Sequence, residues 1–121
     1  QAAWAAGADA LGLNFYPRSP RYVEPDKAAA LARTRPALGA VVGVFVNESP
    51  DLIRARVREC GLTAVQLHGD EPPEACAGFG VPVIKALRCY TTQLTVHEDH
   101  IVHVGGQRAE IRLRVGLRLA P

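Results

Sequence analysis

Four apolar stretches, each followed by a polar loop, are the feature of this sequence that most limits its fold. The stretches cover residues 10–15, 39–46, 64–67 and 81–87. Short apolar runs bounded by turn residues predict buried strands. Helix-like patterns separate them, and strands that alternate with helices predict a parallel sheet with right-handed crossovers. The expected fold class is therefore α/β.

Signals for helix starts lie between the predicted strands. Pro25 and Asp26 suit the first turn of a helix, and residues 49–51 supply a serine N-cap, a first-turn proline and an acidic residue. Acidic residues and prolines at 70–74 predict a third, short helix, closed by glycines at 78 and 80. The valine-rich run at 39–46 is expected to be buried on both faces of the sheet.

The strand-to-helix loops carry the polar side chains that could bind a ligand. Arg18, Arg21, Asn47 and His68 all follow predicted strands, whereas the helix-to-strand returns are plain. This asymmetry is typical of a (β/α) barrel, whose chemistry lies at the carboxyl ends of its strands. A doubly wound open sheet is the alternative, but no glycine-rich nucleotide loop supports it. Because eight strands close a barrel, four strands make about half of one.

Composition excludes several classes of partner. The 121 residues are 48% hydrophobic and 21% charged, with a net charge of +2, which is too small to indicate nucleic-acid binding. No apolar run approaches the roughly 20 residues of a membrane span. The three cysteines follow no metal or disulfide spacing, so a reduced, cytoplasmic location is expected.

The two ends of the chain suggest that it is incomplete. It contains no methionine, and residues 2–7 look like the last turn of a helix with a glycine cap, so an upstream segment is expected. After residue 88 the βα pattern is lost. Residues 97–103 contain three histidines, best interpreted as solvated, and residues 111–119 alternate as one basic amphipathic strand would.

We therefore predict two parts, a partial barrel domain at 1–88 and an irregular or single-stranded tail at 89–121. A shift of reading frame is one hypothesis for the tail. Translation of the parent nucleotide sequence in all three frames would test it.

Four segments resemble the phosphoribosylanthranilate isomerase family, in the family's order. They are residues 12–22 (Gly-Leu-Asn-Phe-Tyr-Pro-Arg-Ser-Pro-Arg-Tyr), 42–47 (Val-Gly-Val-Phe-Val-Asn), 65–71 (Val-Gln-Leu-His-Gly-Asp-Glu) and 83–87 (Val-Ile-Lys-Ala-Leu). The resemblance covers about residues 5–88. It implies a partial (β/α)8 TIM barrel, about strands 2–5 with the helices between them, and a tail that does not match.

The resemblance also implies an activity. The family's enzymes are aldose–ketose isomerases of tryptophan biosynthesis, without metal or cofactor. They convert N-(5'-phosphoribosyl)anthranilate into 1-(2-carboxyphenylamino)-1-deoxyribulose 5-phosphate by an Amadori rearrangement. A sixth-strand aspartate acts as general acid on the ring oxygen, and a cysteine ending the first strand removes the C2 proton. Both positions are expected outside this chain, so no catalytic residue is predicted in it and the chain alone is expected to be inactive.

Three residues match substrate-binding positions of the family. Arg21 matches the arginine that binds the anthranilate carboxylate, a role that suits a planar, permanently charged guanidinium. Gln66 and His68 match polar residues that line the substrate cavity, although His68 could instead be a local cap. Lys85 either points into the barrel, where an acidic side chain must neutralise it, or is structural. Arg18 is expected to be a solvated surface residue.

Two other interpretations stay open. The chain could be a non-catalytic half-barrel module that self-associates through exposed sheet edges. It could also be another phosphosugar enzyme, since barrels support many chemistries, although residues 19–22 and 66–69 argue against this. The expected partner in the enzyme interpretation is a small molecule, with no nucleic acid and no membrane, and the oligomeric state is undetermined.

Overall fold

The computed structural model of this chain describes residues 2–86 in full and the backbone of residues 94–96, 101–104 and 107–110. The chain divides into two compact units, Gln1–Leu87 and Arg88–Pro121. All the predicted site residues lie in the first unit. For residues 105–121, the assignment to a tail outside the family stays a prediction.

The first unit alternates strands and helices as predicted. Its elements are α1 (Ala2–Ala5), β1 (Ala10–Asn14), α2 (Pro25–Ala32), β2 (Ala40–Phe45), α3 (Pro50–Cys60), β3 (Ala64–Leu67), a 3-10 turn (Pro73–Ala75) and β4 (Val83–Lys85). The four strands form one parallel sheet in the order β1-β2-β3-β4. The predicted α/β fold with a parallel sheet is confirmed. The fourth strand is shorter than the predicted run of 81–87.

The two faces of this sheet differ in burial. Helices α2 and α3 cover one face and contribute Ala28, Ala32, Ile53 and Cys60 to the core. The sheet residues of the same core are Leu13, Val41, Phe45, Val65 and Leu67. On the other face one row of register partners, Asn14, Val44, Gln66 and Ile84, is half-buried or exposed, with Ile84 42% exposed.

Strand β2 is not buried on both faces, so that prediction is wrong. Val41 and Phe45 are buried, and the Phe45 ring stacks on Phe15 with 5.1 Å between ring centroids. Val42 and Val44 are only half-buried. An apolar run marks a strand but does not distinguish one covered face from two, because the covering element lies elsewhere in the chain.

Helix α3 begins and ends where the sequence indicates. The Ser49 side chain accepts a hydrogen bond from the Leu52 amide, and Pro50 occupies the first helical turn. Gly61 follows the helix in the left-handed conformation (φ 61°), and its amide donates to the Val57 carbonyl. This helix is held by its local sequence at both ends.

The predicted short helix after residue 70 is replaced by a single 3-10 turn, Pro73–Ala75. Two consecutive prolines remove amide donors here. The few hydrogen bonds of one helical turn offset little of the conformational entropy lost when a helix is nucleated. Tertiary contacts hold the segment instead. Phe79 is buried, Arg54 Nε donates to the Gly78 carbonyl at 2.9 Å, and the guanidinium lies 5.8 Å from the Phe79 ring centroid.

The second unit contains a three-stranded antiparallel sheet, formed by β5 (Leu94–Val96), β6 (Ile101–Val104) and β7 (Gln107–Glu110). None of these strands was predicted. The predicted amphipathic strand at 111–119 lies outside the described residues. In the described part of the chain, no helix combines the length and apolar character needed to cross a bilayer.

Candidate functional site

The carboxyl ends of the four parallel strands lie along one side of the sheet, which we call the carboxyl edge. Backbone hydrogen bonds continue the pairing there, from Phe15 N to Val44 O at 2.9 Å and from His68 N to Phe45 O at 2.8 Å. Each strand-to-helix loop therefore leaves from the edge where the sequence analysis placed the site residues.

The loop after β1 folds back onto the end of its own strand. Tyr22 forms a parallel bridge with Asn14, and the Val23 amide donates to the Asn14 carbonyl at 2.9 Å. Within the loop, the Arg21 amide donates to Ser19 Oγ at 3.1 Å. Because the chain returns at Tyr22, Arg21 lies beside the carboxyl end of β1, where it is exposed.

Gln66 and His68 occupy the end of β3. Gln66 is paired with Val44 and Ile84, on the sheet face that the helices do not cover, and it is half-buried. His68 comes directly after the strand and is exposed. Its backbone amide bonds to the Phe45 carbonyl, which fixes its position relative to β2.

The three predicted residues lie at the carboxyl edge on two different strands, β1 and β3. Strand β2 separates β1 from β3, and a strand spacing of about 4.8 Å puts those two strand ends about 10 Å apart. No hydrogen bond or ion pair recorded for residues 2–86 joins the side chains of Arg21, Gln66 and His68. They are placed as groups that could contact different parts of one ligand.

A polar cluster that contains a largely buried ion pair lies at the same edge, and sequence reasoning missed most of it. Its centre is an ion pair of Lys85 Nζ and Glu71 Oε2, 2.6 Å apart, with side chains only 9% and 7% exposed. Glu71 Oε1 also accepts from the backbone amides of Asn47 (3.0 Å) and Gly69 (3.1 Å). We call Asn47, Glu71 and Lys85 the edge cluster.

The sheet register favours the structural interpretation of Lys85 over the one in which it points into the barrel. The residue is in register with Leu67 and Phe45, on the face that the helices cover, and not on the face of Gln66. Glu71 is the acidic group that neutralises it. A lysine inside an apolar strand was the available signal for a buried partner, and Glu71 is one of three carboxylates, with Asp70 and Glu74, that follow the preceding strand.

The contacts of Glu71 set its protonation. Burial alone would raise the pKa of the Glu71 carboxyl, since a charged group loses hydration. Hydrogen bonds from Lys85 and from backbone amides, that of Asn47 among them, outweigh burial, and the charge of Lys85 adds to their effect. The pKa of Glu71 consequently lies below its ordinary value, and the carboxylate stays ionised at neutral pH.

The two cysteines whose side chains are described lie at the ends of helical segments, not directly after a strand. Cys60 ends α3, where its thiol donates to the Pro25 carbonyl at 3.6 Å, and the Cys76 thiol donates to the Pro72 carbonyl at 3.4 Å. Burial raises the pKa of both thiols. Among the described residues, no three metal-binding side chains converge. Cys89 and the three histidines of 97–103 lie outside the residues whose side chains are described.

Comparison with known proteins gives one consistent result. The family model of N-(5'-phosphoribosyl)anthranilate (PRA) isomerase matches residues 1–104. The PRA isomerase of Myxococcus xanthus is 69% identical over 104 residues, which are 86% of this chain and 49% of the relative. Residues 89–104 fall within the family match, although the sequence analysis assigned them to a tail outside the family.

Solved structures agree with the family match. The crystal structure of the enzyme from Thermotoga maritima is 44% identical, with a TM-score of 0.66, over 69% of this chain and 42% of that one. A second PRA isomerase structure, in complex with reduced 1-(o-carboxyphenylamino)-1-deoxyribulose 5-phosphate, has the same identity and TM-score over 69% and 44% of the two chains.

This chain thus spans about half the length of the curated relatives that it matches. Its four parallel strands and their loops match that portion of solved TIM-barrel enzymes. The family match covers most of the sequence, and the sequence identity to the M. xanthus enzyme is high. The chain belongs to the N-(5'-phosphoribosyl)anthranilate isomerase family.

Proposed function

We propose that the protein containing these residues is a PRA isomerase of tryptophan biosynthesis, and that this chain supplies the anthranilate-binding side of its site. The observation that carries the proposal is the likeness of the first unit to the isomerase structure that holds the reduced product analogue. The reaction is the Amadori rearrangement of N-(5'-phosphoribosyl)anthranilate to 1-(2-carboxyphenylamino)-1-deoxyribulose 5-phosphate. The substrate is a small molecule, and we propose a cytoplasmic location for the enzyme.

Arg21 is the proposed clamp for the anthranilate carboxylate. A guanidinium can donate two parallel hydrogen bonds to a carboxylate, which fixes the orientation of the ring as well as its position. Arg21 is exposed at the carboxyl edge, and none of the ion pairs formed between described residues uses it. Its cation is therefore available to a ligand.

Gln66 and His68 are the proposed polar lining on the other side of the ligand. Gln66 presents both an amide donor and an acceptor on the sheet face that the helices leave open, and His68 follows it at the exposed end of β3. Neither residue is proposed to transfer a proton in the reaction.

The 121 residues alone are proposed to bind without turning over substrate. Ring opening needs a general acid and C2 deprotonation needs a general base, each worth roughly 10²–10⁴ in rate. The family's aspartate and cysteine for these steps are assigned to strands outside this chain. Cys60 and Cys76 each donate to a backbone carbonyl, and burial raises the pKa of both thiols, which supports this division.

Growth of a tryptophan auxotroph that lacks PRA isomerase tests the proposal. A protein of the family's full length that contains these residues should restore growth without tryptophan, whereas the 121-residue chain should not, at equal expression. Failure of the long protein would contradict the proposed reaction. Growth supported by the short chain would contradict the claim that acid and base lie outside it.

A second candidate is a non-catalytic half barrel that self-associates. Two apolar residues of the open sheet face, Val44 (half-buried) and Ile84 (42% exposed), favour this role, since large apolar side chains on a sheet are normally covered. Light scattering tests it. A monomer at micromolar concentration that unfolds cooperatively argues against self-association, and a concentration-dependent dimer supports it.

A further inference from the structure

We propose that the edge cluster, Asn47, Glu71 and Lys85, is a positioning unit that holds the loop after β3 so that His68 faces the ligand. The inference rests on the proposed function and extends it, because it assigns a role to three residues that do not contact the ligand. The cluster joins the ends of β2, β3 and β4 through one carboxylate.

Glu71 provides the junction. One of its carboxylate oxygens bonds to Lys85 at the end of β4, at 2.6 Å. The other accepts from Asn47 N, just past the end of β2, at 3.0 Å and from Gly69 N, just past the end of β3, at 3.1 Å. A single side chain therefore fixes three neighbouring strand ends relative to one another.

Asn47 holds the same loop from the other side. Its Oδ1 accepts from the Asp70 amide at 2.8 Å, and its backbone adopts the left-handed conformation (φ 49°). A side chain at position 69 would collide with Asn47, so the two segments pass at a distance that only glycine allows. The Gly69 carbonyl in turn accepts from Lys85 Nζ.

These contacts use every backbone amide from His68 to Asp70. His68 N bonds to Phe45 O, Gly69 N to Glu71 and Asp70 N to Asn47. The direction of the exposed His68 side chain therefore depends on contacts that the cluster makes immediately after it. Gln66, two residues earlier, is held by strand pairing on both sides.

Burial of the ion pair supports positioning rather than simple stabilisation. Removing two charges from water costs about as much as their attraction returns, so apolar residues would serve stability at least as well. What an apolar pair would lack is acceptors for the Asn47 and Gly69 amides. The charged pair is the arrangement that also determines the conformation of the loop.

Three variants test the proposal on the 121-residue chain. Lys85→Met removes the cation, and Glu71→Gln removes the negative charge. Asn47→Gly removes only the bond to Asp70 and keeps a residue that tolerates positive φ, so it provides a mild variant if the others unfold. Arg56→Met is the matched control, because it breaks an ion pair with Glu59 on α3, away from the loop.

Two readouts apply at a temperature where circular dichroism shows every variant folded. Amide exchange followed by NMR should be roughly tenfold faster or more at Gly69 and Asp70 in the cluster variants, with Leu13 and Val65 unchanged. The Kd for reduced 1-(o-carboxyphenylamino)-1-deoxyribulose 5-phosphate should rise roughly tenfold, whereas Arg56→Met should change neither quantity.

Each outcome decides a different claim. Unchanged exchange at residues 69–70 overturns the proposal, as does faster exchange with an unchanged Kd, which a merely stabilising pair would give. If the unsubstituted chain does not bind the analogue, the proposed function is contradicted. The exchange comparison then still decides whether the cluster holds the loop.

Discussion

At the scale of single residues, Arg21 and Glu71 show what a sequence does and does not reveal. Arg21 lies in a loop whose prolines, serine and tyrosine form a local motif, so its position at the end of β1 could be predicted, whereas its role in binding anthranilate stays a proposal. Glu71 bonds to Asn47, 24 residues away, and to Lys85, 14 residues away. Its role depends on three strands meeting at one edge, which no local pattern encodes.

The ionisation of Glu71 makes stability depend on pH. Its pKa is lower in the folded than in the unfolded chain, so the stabilisation is complete above the ordinary value of 4.5 and is lost as pH falls through the folded pKa. We expect the free energy of unfolding, measured in urea, to decrease below about pH 4.5. Glu71→Gln should flatten this decrease.

The same experiment includes a control for the rest of the chain. Arg56→Met leaves Glu71 and its partners unchanged, so it should keep the pH dependence of the unsubstituted chain. If Glu71→Gln has the same decrease below pH 4.5 as the unsubstituted chain, the ionised, hydrogen-bonded state assigned to this carboxylate is wrong.

At the scale of elements, local sequence signals determine α3, whereas tertiary contacts determine the conformation of the segment after β3. Helix α3 carries its own start and stop signals in Ser49 and Gly61, and the structure follows them. Residues 70–80 carry similar signals but form only a 3-10 turn. The contact between Arg54 and Gly78, together with the burial of Phe79, overrides the weak local preference.

The glycine after α3 gives a test at this scale. Gly61 has φ 61°, and an added methyl group there would meet nothing within 4 Å. Gly61→Ala should therefore cost about 1–2 kcal/mol of unfolding free energy through backbone strain alone. Chemical denaturation with an unchanged m-value would measure this cost.

Gly12 is the matched position. A methyl group there also meets nothing within 4 Å, but the residue lies within β1, outside the left-handed region. Gly12→Ala should be neutral or stabilising, because alanine restricts the unfolded chain without strain. Equal losses in the two variants would show that the left-handed conformation at residue 61 is not what makes glycine necessary.

At the scale of the whole molecule, the order of elements was predictable and the environment of the sheet was not. Apolar runs separated by helix signals were enough to predict four parallel strands in sequence order. They did not reveal that β2 is buried on one face and half-buried on the other. The burial of a strand face depends on which other elements pack against it, and the strand's own residues do not specify those elements. The strands of residues 94–110 were missed because their many polar residues hide the alternation of apolar and polar side chains that marks a strand.

The length of the chain limits which parts of a barrel enzyme's site it can contain. It spans about half of its curated relatives, and the proposed binding groups follow the carboxyl ends of the described strands. A barrel enzyme distributes substrate contacts and proton transfer over many strand ends, so one portion can retain contacts without the chemistry. The central claim is that this portion binds the anthranilate end of the ligand through Arg21.

Calorimetric titration of the 121-residue chain with reduced 1-(o-carboxyphenylamino)-1-deoxyribulose 5-phosphate tests that claim most directly. Arg21→Ala should weaken binding by roughly 10- to 100-fold, the effect of losing charge-assisted hydrogen bonds to a carboxylate. Arg18→Ala, three residues away in the same exposed loop, should leave the Kd unchanged. Equal Kd values for the two variants, or no saturable binding by the unsubstituted chain, would contradict the account.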